Sequence, residues 1–211
     1  MNQRKRTFIQ KQWLNVLIIF TVIAVILLSS LFFVNIGMVD AVWNAQSNIE
    51  GFIINNSTGA LQNTLYIYIE NTSIYAEQLR SSLIKKLATN QLSTHSMIVF
   101  NQTNRTKDAS FLGIHVSEIS NYYYPWSSMC EYNIFYYFSD VGNTYYFMEF
   151  NTAESIYDQP AVYFNETDGK QLLNIGEISI QGSFTGFFSK PYMDNLIIDQ
   201  LATEILKQFN Q

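Results

Sequence analysis

Between Gln12 and Val39 the chain has no charged residue, and 16 of the 21 positions from Leu14 to Val34 are Leu, Ile, Val or Phe. Only Asn15, Thr21, Ser29 and Ser30 are polar there. As a helix the stretch is about 32 Å long, matching a hydrocarbon core of about 30 Å. At roughly −0.4 kcal/mol per large apolar side chain, insertion gains on the order of 6 kcal/mol. A single span in lipid must close its own backbone hydrogen bonds, so it has to be a helix. Trp13 stands at the boundary, where an indole favours the interface.

The flanks predict the orientation. Arg4, Lys5, Arg6 and Lys11 precede the stretch with no acid among them, and no cation follows it until Arg80. All 17 acidic residues lie at Asp40 or later, with eight basic ones, a balance of −9. The positive-inside rule then puts the N-terminus in the cytosol. The expected organisation is a cytosolic basic tail (1–12), a transmembrane signal-anchor helix (13–35), a juxtamembrane helical stalk (36–90) and an extracytoplasmic α+β domain (91–211), in the plasma membrane. A cleaved signal peptide is the alternative. Val39-Asp40-Ala41 offers a small-x-small site, although the apolar run exceeds the usual signal-peptide core.

Met38, Val42, Ala45, Ile49 and Phe52 recur at spacings of 4, 3, 4 and 3, which predicts a helical stalk. Asn55 to Gly59 interrupts it with turn-forming residues. Leu61 to Ile69 fits strand or helix, and Thr72 to Thr89 fits a helix with Ile74, Leu79, Leu83, Ile84 and Leu87 on one side. Lys85 and Lys86 then oppose the macrodipole in its last turn. Beyond residue 96 the period changes. Strands are expected at 97–100, 111–116, 132–138, 144–150, 161–165, 171–173 and 178–187. Turns at Ser139–Asn143 and Glu166–Gly169 join hairpins. A helix from about Pro191 carries Met193, Leu196, Ile197, Leu201, Ile205 and Phe209 on its apolar side.

The fold class is therefore α+β: a transmembrane helix and stalk, a small antiparallel sheet of four to six strands, and a C-terminal amphipathic helix. Parallel βαβ units are disfavoured by the short turns. The layout resembles, in architecture, periplasmic sensor domains of the PAS-like or Cache type.

Six Asn-x-Ser/Thr acceptors occur at Asn55, Asn56, Asn71, Asn101, Asn104 and Asn165, all on the side expected to be outside. They suit a surface glycoprotein, or simply an Asn- and Ser-rich composition. Residues 122–164 hold 16 of the 33 aromatic residues. Those at 132–150 fit a sheet core. Tyr122, Tyr123, Tyr124 and Trp126 flank Pro125 in a loop, and form the candidate recognition surface. Cys130 is alone, so no intrachain disulfide can form and the thiol is read as buried.

Signals for catalysis are thin. His115 and Glu118 would supply two metal ligands where a site needs at least three. No G-x-S-x-G elbow, glycine-rich phosphate loop or H-E-x-x-H is present. No catalytic residue, metal or cofactor is expected. Nucleic acid is disfavoured by the net charge of −5. The expected partners are the lipid bilayer and either another membrane or surface protein, met through span and stalk, or a small-molecule ligand. Two functions fit: a ligand-binding or sensing module, or an assembly subunit of a surface filament, envelope or membrane complex. A sensor normally returns through the membrane, so a second span beyond Gln211 would favour the first. A type IV pilin does not match, because no Gly precedes the apolar run and no Glu lies near its start.

Overall fold

The computed structural model of the chain describes residues 3–54, 64–70, 73–88, 93–97, 109–144, 147 and 171–208. Its elements are α1 (Gln3–Ser30), β1 (Gly37–Ile54), β2 (Thr64–Ile69), α2 (Ala76–Ala88), β3 (Ser93–Met97), β4 (Ser110–Tyr122), β5 (Ser127–Ser139), β6 (Gln171–Phe188) and α3 (Lys190–Lys207). The six strands form one sheet in the order β1-β6-β5-β4-β2-β3.

α1 is the helix expected from the uncharged stretch. Its segment Trp13–Ser30 has a mean hydropathy of 2.4, and none of it is buried within the protein. The hydroxyls of Thr21, Ser29 and Ser30 donate to carbonyls three or four residues back. The helix thus satisfies its three hydroxyl side chains internally, as hydrocarbon surroundings demand.

The helical stalk over 36–90 is not formed. β1 occupies its first part and pairs antiparallel with β6 along its whole length, from Gly37 opposite Phe188 to Ile54 opposite Gln171. The apparent helical stripe is split between the two faces of the sheet: Ile49 packs on one core, Phe52 on the other, and Met38 and Val42 are exposed. Val39, Ala41 and Trp43 alternate inward instead. The Trp43 ring meets Phe184 edge-on at 5.1 Å. Period 2 prevails over period 3.6 because a partner strand lying 117 to 151 positions away supplies the backbone hydrogen bonds, which no local window contains.

A second expectation fails on β2. β2 runs parallel to both β3 and β4, and α2 connects β2 to β3, so the sheet is mixed and holds a βαβ unit. Leu65, Ile67 and Ile69 are buried on one face and Tyr68 on the other. Burial on both faces is characteristic of parallel strands and blurs the alternation. α2 itself follows expectation, burying Leu79, Leu83 and Leu87.

β5 is flanked along its length by β4 and β6. The strand expected at 144–150 lies outside the described residues except for Thr144 and Phe147. Within the Ser139–Asn143 segment Gly142 takes φ 71°. Residues 161–165 and the Glu166–Gly169 turn lie outside the described residues. α3 starts beside the expected Pro191, which lies in its first turn, and the Ser189 hydroxyl, not singled out in the sequence, caps it by accepting from the Tyr192 N–H.

α2 and α3 cover one face of the sheet over a core that includes Ile67, Ile114, Tyr132, Ile134, Ile180, Leu201 and Ile205. A smaller core of Tyr68, Phe111, Tyr137, Phe147, Leu173 and Ile175 lies on the opposite face. The aromatic residues of 132–138 thus fill sheet cores, with Tyr132, Tyr136 and Tyr137 fully buried.

Cys130 is a buried thiol, as expected. Desolvation pushes its pKa from 9.0 up to about 12. Burial likewise raises the phenols of Tyr75, Tyr132 and Tyr136 above 10.0. The folded state holds these protons more tightly than the unfolded chain does. Their stabilisation is therefore full below about pH 9 and declines as the pH rises toward 12 and beyond. Urea midpoints should stay level up to about pH 9 as far as these groups are concerned, then fall steadily. A midpoint that rises above pH 10 would contradict this burial.

Candidate functional site

α1 is joined to the sheet by six residues, Leu31 to Ile36, and these are bonded to the domain. Leu31 is buried, and its carbonyl accepts from Lys190 N at 2.9 Å. Ile36 makes two bonds to Ser189: its N–H donates to the Ser189 hydroxyl at 3.0 Å, and its carbonyl accepts from Ser189 N at 2.8 Å. Ser189 therefore caps α3 and holds the exit of α1 at once. Nothing in the local sequence around Ser189 signals the second role.

The Tyr122–Trp126 segment closes the β4–β5 hairpin beside this exit. The carbonyl of Pro125 accepts from Phe188 N at 2.9 Å and that of Trp126 from Gly186 N at 3.3 Å. The buried Ser128 hydroxyl accepts from Tyr124 N and donates to Tyr124 O, both at 3.0 Å. The turn is thereby fixed from inside.

The four aromatic residues singled out in the sequence do not act alike. Tyr123 turns inward. Its hydroxyl donates to the Phe188 carbonyl at 2.9 Å, and its ring meets Phe32 and Phe188 edge-on. Burial raises its pKa. Tyr122, Tyr124 and Trp126 remain 63%, 57% and 66% exposed, and Met38 and Phe187, which the sequence reading missed, are 83% and 53% exposed. Met38 and Phe187 face each other in the β1–β6 register. Tyr123→Ala is expected to cost about 3 kcal/mol, through lost packing and an orphaned carbonyl. Trp126→Ala should stay within about 0.5 kcal/mol. Chemical denaturation of the two variants measures the contrast, and equal losses would contradict it.

The other clusters support structure. Tyr75 donates to Asp194 at 2.6 Å, and Asp194 pairs with Lys190, which ties the start of α2 to α3. Tyr132 donates to Glu118 at 3.2 Å, and Asn121 donates to both Glu118 and the Tyr132 hydroxyl. Tyr75 has φ 57°, a left-handed conformation that a non-glycine residue holds only when its surroundings enforce it.

His115 pairs with Glu70 at 2.8 Å and contacts Ser73 at 3.3 Å. Both contacts use Nδ1, so the ring cannot relay a proton between them as a catalytic triad does. Ser73 also accepts from Val116 N. His115 and Glu118 do not form a shared pair of ligands, because both lie on strand β4 and an odd separation points them to opposite faces. Among the described residues no group of three or more His, Cys, Asp and Glu could hold a metal ion. A depression of about 270 Å³ on the open face is lined by Val42, Asn44, Ser120, Met129, Glu131 and Ser183 among others. It is below the roughly 300–1,000 Å³ of small-molecule pockets. Asn55, Asn56, Asn71, Asn101, Asn104 and Asn165 lie outside the described residues.

No protein-family model matches the sequence, and no curated protein does either. Among solved structures, a minor lipoprotein from Acinetobacter baumannii is similar over 70% of this chain and 91% of its own, at 10% identity and a TM-score of 0.35. That likeness is too distant to bear on function.

Proposed function

We propose that the chain is a single-pass membrane protein, with α1 crossing the plasma membrane, the N-terminus in the cytosol, and the α+β domain acting outside as a binding or sensing module rather than an enzyme. The observation that carries this reading is α1 itself: long enough to span, uncovered by the rest of the chain, and hydrogen-bonded at its exit to α3. The charge balance around it, four cations before and −9 after, supports the orientation. A retained anchor is favoured over a cleaved signal because Val39-Asp40-Ala41 belongs to β1, paired with Gly186, Thr185 and Phe184. Cleavage after Ala41 would remove five residues of that pairing and the Leu31 contact. The full chain should stay with membranes through an alkaline carbonate wash, while a fragment starting at Leu31 washes off. Release of the full chain would contradict the anchor.

The assembly reading keeps one specific support. β1 is an edge strand with β6 on one side and no described strand on the other. An open edge of this kind is a template for pairing with another chain. Crosslinking of the full chain in membranes through a cysteine at an outward position of β1 would favour that role.

A further inference from the structure

We propose that the exposed rim of the β4–β5 turn lies in the headgroup region of the leaflet from which α1 emerges, so that the domain rests on the bilayer surface. The inference rests on the reading of α1 as a span, and names what the Tyr122–Trp126 surface contacts. Backbone hydrogen bonds fix the height of the turn. Leu31, one residue beyond α1, bonds to Lys190; two residues before Lys190, Phe188 bonds to Pro125, and Gly186 bonds to Trp126. The Phe32 ring also touches Tyr123 at 5.8 Å. The six-residue connection, lashed to Ser189, cannot act as a spacer. Where the helix leaves the hydrocarbon, the turn is beside it.

The side chains at that level have interfacial chemistry. The Tyr124 and Trp126 rings lie side by side outside the core, centroids 6.3 Å apart and tilted by 31°. Tyr and Trp rings, apolar in body and polar at the tip, partition to the headgroup layer. Exposed Met38 and Phe187 add apolar surface on the neighbouring strands. The turn itself, Tyr122 to Trp126, contains no Lys or Arg, and Lys190 nearby is paired with Asp194. Rings rather than charge therefore hold the contact, and neutral phosphatidylcholine suffices.

Trp126 reports its own position. The chain holds three Trp residues, at 13, 43 and 126. The full-length protein is reconstituted in phosphatidylcholine vesicles carrying a spin label at a shallow or a central depth, as W13F and as W13F/W126F. The difference between the two isolates Trp126 without disturbing the packed Trp43. The shallow label is expected to remove roughly half of the Trp126 emission, and the central label much less, since indoles sit at headgroup level. A protein retaining Trp13, compared with W13F, reports the span. Quenching of Trp13 without quenching of Trp126 leaves the anchor standing and overturns this inference. That is also the outcome if a protein partner covers the rim. Absence of quenching at both positions overturns the anchor and this inference with it.

Discussion

Two arginines in the middle of α1, Val22→Arg and Ile26→Arg, are expected to release the full chain from the membrane fraction. The apolar stretch gains on the order of 6 kcal/mol on insertion, while two central arginines cost about 3 kcal/mol each and forfeit two apolar contributions. The balance moves from clearly favourable to about zero or worse. Neither residue touches the domain, since Trp13–Ser30 is unburied. The soluble pool should therefore contain folded domain, measurable by its resistance to limited proteolysis. An arginine nearer the N-terminal end of α1, for example at Asn15, should do far less, because a long side chain snorkels to the interface. Equal membrane retention of the double variant and the native chain would contradict a lipid-embedded α1.

The second large effect concerns β1. A Cβ on Gly176 would lie 2.1 Å from the Asn48 carbonyl oxygen and 2.7 Å from the Ile49 Cα, both backbone atoms of the paired strand. Gly176→Ala must push β1 away from β6, and should cost about 3 kcal/mol, at the high end of overpacking. Gly51→Ala, on β1 itself, meets only the Asn174 side-chain oxygen at 3.2 Å, and should cost under about 1 kcal/mol. A helical stalk reverses the ranking: Gly51→Ala would then stabilise by roughly 1 kcal/mol and Gly176 would lack the clash. Denaturation midpoints of the two variants separate these cases.

That contrast marks where the sequence could be read and where it could not. α1, α2 and α3 were legible because a helix closes its hydrogen bonds locally and shows its buried face at a fixed spacing. Pro191 in the first turn of α3 and the buried run of β5 follow from equally local rules. β1 reads as a helix because its residues satisfy both periods by coincidence, and the deciding partner, β6, lies at the other end of the chain. The parallel pairing of β2 was hidden for the same reason. At the aromatic turn, Pro125 and the crowding of aromatic residues point to a loop with exposed rings, and Tyr124 and Trp126 are exposed in the β4–β5 turn while Tyr122 ends β4. The composition did not show that Tyr123 turns inward, since this depends on the Phe188 carbonyl and on Phe32, brought together by the sheet and by the exit of α1. Nor did it show that the turn stands beside that exit, which depends on the bonds to Phe188 and Gly186.

Topology is tested most directly by thiol labelling with a membrane-impermeant maleimide in intact cells. The native Cys130 is buried and its thiol stays protonated, so it gives a dark background. Asn44→Cys, at an exposed position of β1, should be labelled from outside without permeabilisation. Asn2→Cys, in the basic N-terminal tail, should be labelled only once the membrane is opened. Labelling of Asn2→Cys in intact cells, with Asn44→Cys protected until permeabilisation, would contradict an α+β domain held outside by α1.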